Sequence, residues 1–213
     1  MESFGKHMFT PSVQAEQDKL GMRERYAKAY EKRLTGPLPD DAKAFIESRD
    51  NFYLATVSET GWPYVQHRGG ARGFLKVIAE DTVGFADYTG NKQMISRGNL
   101  SGDDRVSLIL MDYPNRARLK LIGHMSMMDA ADDPDLAKRL ATDDDNPVER
   151  LATIRLIAMD WNCPKYITPR FTQDEVTALV APHLADRDRK IAVLSARLQE
   201  LGEDPESLLR TTP

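Results

Sequence analysis

The residues best suited to chemistry fall in two short segments. The first is Gln66-His67-Arg68-Gly69-Gly70-Ala71-Arg72-Gly73, with two arginines and three glycines at the end of a strand-like run. Glycine lets backbone approach a ligand closely. A guanidinium grips a phosphate through two parallel donors. Together they suit an anion cradle, although the same residues also suit a tight exposed loop with solvated arginines. The second segment is Tyr88 to Leu100, where Lys92, Ser96 and Arg97 are cations and a short donor fit to meet a phosphate. Ser96 lies four residues beyond Lys92, so one helical turn would align them. A solvated turn or cap is the alternative. The nucleotide P-loop order GxxxxGK followed by Ser or Thr is absent, and Gly69, Gly70 and Gly73 do not make GxGxxG.

Other chemistry has weaker support. Four histidines and one cysteine, Cys163, form no recognised zinc spacing, so no metal is expected. No base sits locally beside Cys163 to make it a nucleophile, and packing beside a pocket or a dimer seam is its expected role. Arg116, Arg118 and Lys120 alternate along a strand and read as a solvated or interface face. Asp143-Asp144-Asp145 lacks the ordered calcium-loop pattern and reads as a polar loop.

The elements that must position these segments follow from pattern. A helical stretch capped at Ser12 is expected to run to about Leu34, with a shorter helix capped at Asp41. The chain then becomes strand-like. Phe52, Leu54 and Thr56 share one face by period two, and Tyr53, Ala55 and Val57 share the other. Glu59-Thr60-Gly61 turns the chain, and Pro63 fits the start or edge of the returning strand. FLKVI and TVGFADY flank a turn at Glu80-Asp81. VSLILMDY, RLKLIGHMSMM and LATIRLIAMDW are further strands. Asn91–Leu100 reads as a short helix or structured loop, and Asp132–Asp145 is compatible with helix. Thr172 and Glu175 have capping-box spacing, Pro182 is expected to end or kink the helix that follows, and Ile191, Leu194, Leu198 and Leu201 continue an apolar helical face. Roughly six strands flanked by helices indicate an α+β domain.

Composition bounds the rest. The 213 residues are 41% hydrophobic and 29% charged, ordinary globular proportions. Lys and Arg number 29 against 33 Asp and Glu, a formal charge of −4 that gives no general attraction to nucleic acid. A single cysteine excludes an intrachain disulfide and suits a reducing, cytoplasmic setting. Neither a secretory signal nor a membrane span is expected.

Taken in order, FYLATVSETGWPYVQHRGG, GFLKVI, GFADYTGNKQMISRGNL, VSLILMDYP, RLKLIGH and DWNCPKYI resemble the pyridoxamine 5′-phosphate oxidase-like flavoproteins over about residues 45–167. The likeness is to a branch with RGG, NKQ-x-x-SxGNL and WNCPxYI segments rather than to the vitamin-converting oxidase, whose RxVLLK pattern is not intact here. The resemblance implies a predominantly antiparallel split β-barrel with flanking N- and C-terminal helices. The expectation is one FMN-binding domain over 1–213, with helical extensions at about 12–48 and 172–201. It implies a homodimer with FMN at the subunit interface. Arg68, Lys92, Ser96 and Arg97 would hold the phosphate. Asn99 would orient the loop or donate to the cofactor, Gln66 and His67 would approach the flavin, and Trp161 would pack near the ring. The activity implied is an FMN-dependent oxidoreductase acting on a small molecule, with NADH or NADPH as candidate donor. A non-catalytic FMN-binding, storage or redox-sensing protein is the alternative, and a phosphate or nucleic-acid binder the second.

Overall fold

A computed structural model describes residues 1–31, 36–142, 146–161 and 164–206. The readings made above for Asp143–Asp145 and Cys163, and for Leu34 as a helix end, fall outside these residues. The chain divides into two compact units, 1–167 and 168–213.

The first unit is built on one sheet. Strands β1 (Glu2–Ser3), β2 (Asn51–Val57), β3 (Pro63–Gly69), β4 (Lys76–Ala79), β5 (Thr82–Tyr88), β6 (Arg105–Asp112), β7 (Ala117–Asp129) and β8 (Val148–Trp161) are ordered β3-β2-β6-β7-β8-β5-β4. All neighbours on that path are antiparallel, and β1 adds a short parallel pairing with Ala158 and Met159 of β8. The fold is thus α+β, a predominantly antiparallel split barrel. The β1 pairing is too short to carry a period-two signal, and its absence from the sequence expectation has that cause.

Period two decides the inside of this sheet. Phe52, Leu54 and Thr56 are buried while their neighbours in β2 are not. Phe52 stacks on Phe74 at 5.6 Å between centroids and meets Phe85 edge-on at 5.5 Å. Such aromatic pairs add to the stabilisation from area burial. Pro63 opens edge strand β3, where its missing donor is least costly. A register shift falls between Ile122 and Gly123 of β7. A Cβ at Gly123 would run into the Arg155 carbonyl oxygen, so only glycine allows this close approach.

Helices cover the sheet and link its strands: α1 (Phe4–Met8), α2 (Pro11–Lys19), α3 (Arg23–Glu31), α4 (Asp40–Glu47), α5 (Ile95–Gly102) and α6 (Pro134–Leu140). The single N-terminal helix expected from Ser12 is instead two. Thr10 caps α2, with Pro11 in its first turn. Gly21, at φ +65°, breaks the chain before α3. Glycine adopts that left-handed conformation at no steric cost, so the break is local. Tyr30 Oη donates to Asp160 Oδ1 at 3.0 Å, tying α3 to β8. In α4, Ala42 and Ile46 are buried, four residues apart on one face.

The second unit contains α7 (Gln173–Glu200), 28 residues long. Its capping box is formed. Glu175 N donates to Thr172 Oγ1 at 3.2 Å, and Thr172 N donates to Glu175 Oε2 at 2.8 Å. Pro182 lies inside the helix and does not end it. A proline removes one intrahelical donor, and the helix-forming residues on both sides carry the turn through.

Candidate functional site

Strand β3 carries a polar row on the interior face. Thr56, Leu54 and Phe52 of β2 are register partners of Tyr64, Gln66 and Arg68, so these three share the buried side of the pair. His67 is the partner of Tyr53 and lies on the opposite face, with its ring 5.6 Å from the tyrosine ring. Gln66 and Arg68 turn into a cleft of about 250 Å³ that also meets Asp87 and Tyr88 of β5, the Gly90–Arg97 segment, Met127 of β7 and Arg150 of β8. The described lining therefore holds four cations, Arg68, Lys92, Arg97 and Arg150, against one carboxylate, Asp87.

The second segment enters this cleft through an unusual backbone. Lys92 and Met94 both have φ +58°. Left-handed conformations cost non-glycine residues about 1–2 kcal/mol and concentrate at ligand-binding turns. Met94 is the N-cap of α5 and supplies no side-chain cap. The first-turn N–H groups of a helix have no intrahelical acceptors, and the helix dipole is positive at that end. The start of α5 thus faces the cleft with donors and a partial positive charge, the ordinary arrangement for an oxyanion. Ser96 is buried, and its Oγ donates to Gln66 Oε1 at 2.8 Å, which fixes α5 against β3.

The cations are held by specific partners. Arg68 Nη1 donates to Asp87 Oδ1 at 2.7 Å, and Arg150 Nε donates to Asp87 Oδ2 at 2.8 Å. Arg150 also pairs with Glu149 at 2.8 Å. Burial opposes the charge of Arg150, but its bond to Asp87 and the nearby Glu149 outweigh that and raise its pKa. A hydrogen bond from Thr89 holds the Glu149 carboxyl below its ordinary range, and Arg150 adds to the effect. Arg68 Nε is buried with no hydrogen-bond partner. Buried donors are rarely left unsatisfied, so an orphan donor in a cationic cleft marks a place for an acceptor. Arg97 sits at the rim, 44% exposed, with Asp129 at 3.2 Å.

Five residues singled out from sequence meet here: Gln66, Arg68, Lys92, Ser96 and Arg97. Three lie elsewhere. His67 is on the other face of β3. Asn99 is buried on α5 and its Nδ2 donates to Thr56 Oγ1 at 2.8 Å, anchoring the helix to β2. Trp161 packs edge-on against Phe45 of α4, 4.9 Å between centroids. Asp87, Arg150 and Tyr64 line the cleft without having been singled out, and Tyr88, the first residue of the second segment, lines it too. The alternation that puts Tyr64 beside Gln66 and Arg68 was a usable signal for Tyr64. Asp87 and Arg150 carried none, because they meet across strands 63 residues apart.

A family model described as pyridoxamine 5'-phosphate oxidase matches residues 38–155. That is more than half of the chain, and the chain belongs to this family. The match takes in the cleft residues from β3, β5, α5, β7 and β8. None of the curated proteins matches the chain. Similar solved structures include an FMN-binding protein from Syntrophomonas wolfei, 15% identical, covering 68% of this chain and 97% of that one, TM-score 0.46. An F420 reductase is 18% identical over 58% of this chain and 98% of its own, TM-score 0.42. General Stress Protein 26 from Bacillus anthracis is 14% identical over 61% and 92%, TM-score 0.42. Among the described residues, no helix is long and apolar enough to cross a membrane.

Proposed function

We propose that this member of the family binds FMN, with the phosphate in the cleft between β3, β5 and α5, and works as an FMN-dependent oxidoreductase on a small molecule. The observation that carries the reading is a cleft whose described lining holds four cations and the start of α5, one of those cations, Arg68, having a buried Nε with no hydrogen-bond partner. A phosphomonoester dianion supplies the acceptors and the charge that this donor set calls for. Lys92 and Arg97 approach the phosphate from the loop and the first turn of α5, and Ser96, its hydroxyl proton donated to Gln66, holds that turn in place. Arg68 and Arg150 provide the floor.

The cleft, at about 250 Å³, suits a phosphate and part of the ribityl chain rather than the whole cofactor. The flavin ring would lie beyond it, where a homodimer would bring a second subunit. When bound, FMN supplies hydride and electron transfer that amino-acid side chains cannot perform. The chain's own residues bind and orient it. Asp87, the one carboxylate in the described lining, is engaged by two arginines and is not poised as a general base. An FMN-binding protein without turnover is the second reading.

The test is the absorption spectrum of freshly purified, desalted protein, followed by mass identification of any small molecule released on denaturation. About one FMN per chain, directly or after reconstitution, is expected. Failure to take up FMN in excess would overturn the reading. Anaerobic mixing with NADH, NADPH and other donors then separates the enzyme, whose flavin bleaches, from the non-catalytic binder, whose flavin does not.

A further inference from the structure

We propose that Asp87 is the positioning residue of this anion site and that Arg150 is a second guanidinium presented to the bound phosphomonoester. The inference rests on the reading of the cleft as a phosphate site and adds the device that builds it. Asp87 and Arg150 are direct register partners on β5 and β8, so the sheet itself sets them side by side. Arg68 comes from β3, at the other end of the strand order. One carboxylate uses its two oxygens for the two guanidinia: Oδ1 for Arg68 Nη1 at 2.7 Å and Oδ2 for Arg150 Nε at 2.8 Å. The side chains are 18%, 13% and 10% exposed for Arg68, Asp87 and Arg150, so water screens this trio poorly.

Two guanidinia this close repel unless an anion stands between them. Asp87 removes that repulsion and offsets one of the two arginines, and Glu149, 2.8 Å from Arg150, offsets the other. The excess positive charge of the cleft comes from Lys92 and the start of α5 at its mouth, Arg97 being paired with Asp129 at the rim. Asp87 also aims Arg68: engaging Nη1 fixes the plane of the guanidinium and leaves the buried Nε without a partner. The planar fork of arginine matches the spacing of phosphate oxygens, and fixing its plane sets where they can lie. Glu149 performs the corresponding service for Arg150, and Thr89 Oγ1 in turn donates to Glu149 at 2.8 Å. The phosphate subsite is therefore a layered arrangement of carboxylates behind arginines, not a patch of surface cations. Its predicted specificity is for the phosphate end of the ligand alone.

The experiment compares FMN with riboflavin, which lacks the phosphate, by calorimetric titration into wild-type protein, Asp87→Asn, Arg150→Gln and Arg150→Lys. In wild type, FMN binds more tightly than riboflavin, and inorganic phosphate competes with FMN. In Arg150→Gln the FMN preference falls about tenfold or more, as expected on loss of a charged donor to the phosphate. In Asp87→Asn it falls to a like extent in spite of the positive charge the variant adds, because Arg68 and Arg150 are no longer aimed. Riboflavin affinity holds within about threefold in both. Arg150→Lys recovers part of the preference. A wild-type FMN preference that survives in Asp87→Asn and Arg150→Gln overturns this proposal while leaving the phosphate site itself standing. Equal loss of FMN and riboflavin also overturns it, because that is the signature of a merely structural role. Wild-type protein with no preference for FMN overturns both the phosphate reading and this one. Should Asp87→Asn fail to fold, the two Arg150 variants decide: loss in Gln with partial recovery in Lys supports the proposal, and no change in either overturns it.

Discussion

Arg68 and Asp87 join across the split of the barrel. Their strands, β3 and β5, share no backbone hydrogen bonds, yet Arg68 Nη1 lies 2.7 Å from Asp87 Oδ1. Arg68 is also stacked 5.7 Å over the ring of buried Phe85, so its guanidinium is held between a carboxylate and the aromatic core. The same side chain thus links β3 to β5 and lines the cleft, with its Nε buried and without a partner.

Arg68→Ala is expected to weaken FMN by about 10- to 100-fold, the effect of losing a charged hydrogen bond, and riboflavin by no more than about threefold. Binding titration of the two ligands checks it. Equal weakening of both would remove Arg68 from the phosphate site. The variant should also unfold at lower temperature, since Asp87 loses a partner across the split.

The left-handed Met94 gives a prediction of opposite sign. Its φ of +58° at the α5 N-cap costs a methionine about 1–2 kcal/mol that glycine does not incur. Glycine in turn loses about 0.5–1 kcal/mol to backbone entropy. Met94→Gly should therefore leave the ligand-free protein as stable as wild type or raise its stability by up to about 1.5 kcal/mol, measured by urea unfolding. A clear loss would show that the Met94 side chain, rather than its backbone geometry, matters to the fold.

The cleft was legible in the sequence to the extent that it is local. Arg68, Lys92, Ser96 and Arg97 were found because cations and short donors cluster within two short segments that each follow a strand. The strands themselves were legible because Phe52, Leu54 and Thr56 alternate with less buried neighbours. Parity along β3 would have separated His67 from Gln66 and Arg68, since adjacent residues of a strand face opposite sides. Arg150 and Asp87 could not be found this way. An arginine and an aspartate in long apolar strands look like ordinary edge charges until the β5–β8 register places them opposite each other. The break between α2 and α3 was hidden for a different reason: glycine within a helical pattern is tolerated in some contexts, and only the conformation of Gly21 decides.

Gly123 tests the β7–β8 bulge. An added methyl has no room beside the Arg155 carbonyl oxygen, and that contact is backbone, not a flexible side chain. Gly123→Ala should cost about 1–3 kcal/mol or more and lower the melting temperature accordingly. Gly98→Ala is the control, because nothing lies within 4 Å of the position its Cβ would take. A Gly123→Ala protein melting with wild type would mean that the register can shift without penalty.

Asp112 predicts the acid limit of the fold. The side chain is buried at the end of β6 and takes bonds from Asn115 N at 3.1 Å and Asn115 Nδ2 at 3.1–3.2 Å, with Arg49 Nη2 at 3.0 Å. Burial alone would raise its pKa, but the Asn115 donors and the Arg49 charge outweigh it and hold the carboxyl below its ordinary value. A carboxyl with a lowered folded-state pKa stabilises the fold above its unfolded pKa of about 3.9, and that contribution is lost as pH falls through the folded value. Asp112→Asn should therefore destabilise the protein by about 1–3 kcal/mol at pH 7, since Arg49 loses its charged partner. The gap between wild type and variant should stay constant from pH 7 to about 5 and narrow below about pH 4. Urea unfolding of both proteins at pH 7, 5 and 3 measures it. A gap at pH 3 as wide as at pH 7 would show that Asp112 holds its turn through shape and hydrogen bonds rather than through its charge.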